Sequence, residues 1–119
     1  MGLDITAYAK NGKTYSFRAG SYSGYNEWRN TLSELMLGVS DYEVWNNLDE
    51  YKERPFYYLI NFSDCEGIIL GDKLLKLLSD FENNKEKAKA YDDGYWTEKY
   101  FCWLKAFSLA SDGGYVEFH

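Results

Sequence analysis

The chain opens on a strict period of two. Leu3, Ile5, Ala7 and Ala9 alternate with Asp4, Thr6 and Tyr8, and the run stops at Asn11-Gly12. Alternation puts the apolar set on one face of a strand. Asn-Gly supplies the positive φ angles of a tight type I′ turn, and Lys13 to Arg18 resume the pattern through Tyr15 and Phe17. A β-hairpin is therefore expected at the N-terminal end, with one face committed to a core.

Helical periodicity follows. A helix is expected to begin near Gly24 to Asn26, bury Trp28, Leu32, Leu35 and Met36, and stop at Gly38. Residues Tyr42 to Glu53 suggest a short helix capped by Ser40 or Asp41. Pro55 is placed to open another short helix through Phe62, although Phe56 to Ile60 reads equally as a buried strand. After the polar turn at Ser63 to Gly67 comes Ile68-Ile-Leu70, and Asp72 is expected to cap a long helix with Leu74, Leu75, Leu78 and Phe81 inward. Asn83 to Asp93 reads as a charged loop. Thr97 would cap a last helix carrying Tyr100, Phe101, Leu104, Phe107 and Leu109, and Tyr115 to Phe118 closes the chain as a strand. The expected fold is α+β in one domain, 1–119: a small antiparallel sheet of the hairpin plus the C-terminal strand, packed against four or five helices.

The chain carries 12 Tyr, 4 Trp and 7 Phe in 119 residues, so an aromatic core is expected, together with a wet cleft or an interface where phenol and indole groups find partners. A net charge of −6 argues against DNA or RNA as partner, because such affinity comes from Lys and Arg neutralising phosphates. A single small phosphate stays admissible, held by one Arg or a helix N-terminus. Cys65 and Cys102 lack the spacing of a zinc or redox motif and read as free thiols. No apolar run approaches the roughly 20 residues that span a bilayer, and no secretory leader is visible, so the expected setting is cytoplasmic, without a membrane partner.

Three places could carry chemistry. Ser21, Tyr22, Ser23 and Tyr25 sit in a Gly-containing stretch before a helix that presents Arg29 about one turn inside, a layout able to cradle an anion, although the Lys-Ser/Thr ending of a P-loop is absent. The plain alternative is a capped strand-to-helix connection. Asp64 and Glu66, in Ser63-Asp-Cys-Glu-Gly67, could accept hydrogen bonds from a ligand or simply shape a turn; the oxygen count and spacing of a calcium loop are missing, so no metal is expected. His119 is the only histidine, and Tyr25 or Tyr95 is placed to stack on a planar base.

The set Met1-Gly-Leu-Asp-Ile5, Ser21-Tyr-Ser-Gly-Tyr25 with Trp28-Arg29, Asn61-Phe-Ser-Asp-Cys-Glu-Gly67 and Gly114-Tyr-Val-Glu-Phe-His119 resembles a family of small uncharacterised phage, prophage and bacterial proteins. The resemblance covers nearly the whole chain and is weakest over 40–54 and 83–93. It implies an accessory factor acting on host machinery, in the host cytoplasm if phage-encoded, including inhibitors of antiviral defence. On this reading the chain is a cofactor-free binder that sequesters a small nucleotide-derived signal such as a cyclic nucleotide. Ser21, Tyr22, Ser23 and Arg29 would hold phosphate or ribose, Asp64, Glu66 and His119 would meet polar edges, and Tyr25 or Tyr95 would stack. The first alternative is a protein-binding inhibitor of a host enzyme or defence factor, with a second copy of the chain also admissible as a partner. The second is a small hydrolase using His119 with Asp64 or Glu66.

Overall fold

The computed structural model describes residues 2–119, so Met1 of the pattern above lies outside the described residues. Strand β1 (Gly2–Tyr8) pairs antiparallel with β2 (Thr14–Ser21), as the alternation predicts. The connection differs from the expected type I′ turn. Only Gly12 takes positive φ, at 94°, and Asn11 instead accepts the Lys13 N–H through Oδ1 at 3.0 Å. Ala9 N–H reaches the Lys13 carbonyl at 2.8 Å across the loop Lys10 to Gly12, so the hairpin turns through three residues and needs one glycine only.

Helix α1 (Tyr22–Leu37) follows β2 without a linker. It starts earlier than the periodicity suggests because Ser21 caps it, accepting the Gly24 N–H, and it ends at Gly38 with φ 77°. The next expected helix is two pieces, α2 (Asp41–Asn46), capped by Ser40, and α3 (Leu48–Tyr51). The helical alternative holds after Pro55, but α4 (Tyr57–Ile60) begins only beyond Phe56, whose φ of 66° blocks an earlier start.

Two elements were not expected. Gly67–Leu70 is strand β3, which places β4 (Tyr115–Phe118) between β1 and β3, in the order β2-β1-β4-β3. Residues 83–93, read above as a loop, contain α6 (Lys85–Tyr91), a helix that buries little beyond Ala88. Helix α5 (Gly71–Asn83) starts at Gly71 with no side-chain cap from Asp72, and it turns Leu74, Leu77 and Phe81 inward while Leu75 stays exposed. Asp93, not Thr97, caps α7 (Gly94–Leu109), accepting the Trp96 N–H. Seven helices instead of four or five thus accompany the sheet among the described residues.

The core is the inner sheet face under α1, α5 and α7. Leu3, Ile5, Ala7, Ile69, Val116 and Phe118 meet Tyr25, Trp28, Leu77, Phe81, Trp103 and Phe107. Trp28 and Trp96 lock α1 to α7 reciprocally, each indole N–H donating to the other's carbonyl at 3.0 and 3.1 Å with rings stacked 5.5 Å apart. Asp80 is buried where it accepts the Phe56 N–H at 2.9 Å, and this bond ties α4 to α5. No helix of the described residues is long and apolar enough to cross a membrane.

Candidate functional site

The Ser-Tyr-Ser-Gly-Tyr segment turns out to be the entry of α1. Ser21 Oγ is committed to the Gly24 N–H at 3.0 Å and lies 3.3 Å from Ser23 Oγ, while Tyr22 packs half-buried on the core. Tyr25 is fully buried and Arg29 is 3% exposed. The Arg29 guanidinium donates to the Phe62 carbonyl at 2.7 Å and to Asn26 Oδ1 at 2.6 Å, and it lies over the Tyr25 and Trp45 rings at 5.1 and 5.3 Å. Asn26 Nδ2 in turn donates to Asp64 at 2.9 Å. The two polar segments therefore do meet, through Asn26, a residue without any expected role.

Arg29 is the buried end of this chain of contacts, and Asn26 and Asp64 are half-buried. The contacts clamp α1 to the turn that precedes β3, and they leave Arg29 Nε and the Tyr25 hydroxyl buried without partners. Burial raises the Tyr25 phenol pKa well above its ordinary value; the Arg29 cation opposes that shift and the Asp64 carboxylate adds to it. In the same turn Ser63 Oγ accepts the Cys65 and Glu66 N–H groups, each at 3.2 Å, an ST-turn that points Asp64 back towards α1. Gly67 has φ 133°, and a Cβ there would meet the Phe62 ring at 2.7 Å.

His119 is tied into the sheet by backbone bonds with Asp4 in both directions, and its Nε2 is 2.8 Å from Thr6 Oγ1. With Cys65, Glu66 and Glu117 it lines a shallow depression of about 680 Å³ at the sheet end. Tyr95 stands elsewhere, 56% exposed, its hydroxyl against Gly20 and its ring under Lys99 Nζ at 5.5 Å. It shares a cleft of about 360 Å³ with Gly24, Tyr91 and Trp96. The predicted residues thus fall into three groups: buried Tyr25 and Arg29 with half-buried Asp64, Glu66 and His119 at the sheet end, and Ser21, Tyr22, Ser23 and Tyr95 around the α1 entry. Among the described residues no three His, Cys, Asp or Glu side chains are grouped to hold a metal ion.

The outer sheet face presents a different surface. Register places Thr14, Tyr8, Tyr115 and Leu70 in one row across the four strands, and Ser16, Thr6, Glu117 and Ile68 in the next. Towards β2 the side chains satisfy one another: Arg18 pairs with Asp4 at 3.1 Å, Ser16 bonds Thr6 at 2.9 Å, and the Tyr8 hydroxyl donates to Glu117 at 3.3 Å. Towards β3 the face becomes apolar. Tyr115 stacks on Tyr8 at 4.8 Å, and Ile68 and Leu70 are 48% and 57% exposed. That apolar rim continues into a groove of about 740 Å³ between β3 and α4 whose walls include Tyr57, Tyr58, Phe62 and Lys73.

This surface was not expected from the sequence, in which no strand was assigned to Gly67–Leu70. Comparison with family models, with curated proteins and with solved structures finds no match to the chain.

Proposed function

We propose that the protein is a non-enzymatic binding module for another protein, working in the cytoplasm, with the outer sheet face and the groove at its β3 edge as its docking surface. The observation that carries this reading is the grading of that face, from mutually satisfied polar side chains at β2 to exposed Tyr115, Ile68 and Leu70 at β3. Contiguous apolar surface bordered by polar groups is what protein interfaces use, and aromatic residues are enriched at their centres. Arg29 and Asp64 supply no competing surface site, since their polar groups hold α1 against the turn. The test is a Tyr115→Lys, Leu70→Glu variant and a Glu98→Lys control at an exposed position of α7. The reading expects the first to lose a stoichiometric complex with the cellular partner and the second to keep it; retention by both would sink it.

One observation favours sequestration of a nucleotide-derived ligand instead. Tyr91 and Tyr95, 44% and 56% exposed, flank the cleft beside the α1 entry, where a planar base could stack. Calorimetry with cyclic dinucleotides and cyclic ADP-ribose isomers decides it: heat that disappears in Tyr95→Ala supports this reading, and no heat from any of them removes it.

A further inference from the structure

Antiparallel ladders alternate, so the bonding of one pair fixes the direction of every backbone group along the strand. Asp4 and His119 exchange both backbone bonds, hence Glu117 and Tyr115 also bond β1, while Phe118 and Val116 turn their groups towards β3. Their partners there are Gly67 and Ile69. Ile68 is left with its N–H and C=O directed away from the sheet, along the open edge. Directly beside that edge lies the groove floored by Tyr57, Tyr58 and Phe62.

The charge lining the groove is opposite in sign to that of the whole chain. The chain carries −6 overall, yet Lys52 and Lys73 stand at this groove against a single carboxylate, Asp72. Lys73 Nζ is held 5.5 Å above the Tyr58 ring, within reach of whatever lies there.

We infer that the β3 edge and the α4 groove receive an extended, carboxylate-bearing segment of a partner protein, which adds to the sheet as a fifth strand. Its backbone bonds to Ile68, an apolar side chain packs on Tyr57 and Tyr58, and an acidic side chain meets Lys52 or Lys73. Main-chain bonds supply affinity in such strand addition, and alternate side chains supply specificity. Lysines also protect edges from unwanted pairing, and here they select an acidic strand over a neutral or basic one. The inference rests on the protein-binding reading and names the chemistry of the partner segment.

The experiment selects binders for the full chain from a displayed library of random short linear peptides and measures them by fluorescence polarisation. Enrichment of acidic peptides with alternating apolar residues is expected. Their affinity should fall about tenfold in Lys52→Glu, Lys73→Glu, the loss of a close charge pair. It should also be lost in Ile68→Pro, which deletes the outward N–H and leaves the β4 ladder intact. Circular dichroism checks that both variants are folded, and the charge reversals stand alone if Ile68→Pro is not. Failure to enrich any peptide, or enriched peptides indifferent to the charge reversals, overturns the inference. So does self-association through this edge, which would make a second copy its occupant. If the edge inference fails while the cellular partner is still lost in Tyr115→Lys, Leu70→Glu, the open-face reading stands without it.

Discussion

Replacing Arg29 by Met separates a structural arginine from a ligand-binding one. The side chain is 3% exposed and reaches the Phe62 carbonyl and Asn26 in a region closed to water. Leaving the Phe62 carbonyl unpaired costs about 1–3 kcal/mol. Losing the cation from between the Tyr25 and Trp45 rings removes about 1 kcal/mol more, while Met keeps part of the apolar stem and no longer buries a charge. The net expectation is destabilisation of about 2–4 kcal/mol, read in urea as a lower midpoint at unchanged m-value. Arg29→Lys should recover less than half of it, because an ammonium cannot span both acceptors as the planar fork does. Asn26→Ala should share much of the loss, since Asn26 joins Arg29 to Asp64. A change below about 0.5 kcal/mol in Arg29→Met, the size of an ordinary surface substitution, would refute the clamp and return Arg29 to the candidates for ligand contact.

Three further outcomes are expected. A Cβ at Gly114 would overlap the Tyr8 carbonyl, whereas one at Gly2 meets mainly the movable end of Arg18, so Gly114→Ala should cost about 1–3 kcal/mol or more and Gly2→Ala only a few tenths, by thermal or urea unfolding. Ser21→Ala should lose about 1 kcal/mol of cap energy in the same assay and leave partner binding intact, because its hydroxyl serves Gly24. Burial raises the phenols of Tyr25 and Tyr100 above the ordinary 10.0, and burial plus contact with Cys102 pushes Tyr15 up to about 12. The folded state then keeps protons that the unfolded state releases, so these groups contribute fully below pH 10 and their contribution falls as pH rises towards 12. Tyrosinate absorbance should show a set of phenols that ionise only on alkaline unfolding; free titration of all phenols before unfolding would contradict it.

The hairpin and the closing strand were legible because their alternation is strict and one face is wholly committed to the core. Strand β3 was not, since Ile68 and Leu70 are apolar residues left exposed on an edge, which makes Ile68-Ile-Leu70 look continuous instead of alternating. The four leucines from Leu74 to Leu78 allow two helical phases, and the choice of Leu77 over Leu75 belongs to the sheet beneath. Helix α6 buries too little to leave a periodic trace. At the candidate site Asn26 was invisible because its partner Asp64 is 38 positions away in sequence. Arg29 did carry a signal of burial: it lies one turn from Tyr25 and beside Trp28 on the face that buries Leu32, where an arginine must find its acceptors inside.

A partner that docks on the outer sheet face and its β3 rim should be reachable from those positions alone. Photo-crosslinking residues placed singly at Leu70 and Tyr115, with Glu98 on α7 as control, test this in cells that make the protein. The expected result is one shared partner captured from Leu70 and Tyr115 and absent from Glu98. Capture of that partner from Glu98, with none from the sheet positions, would contradict the account.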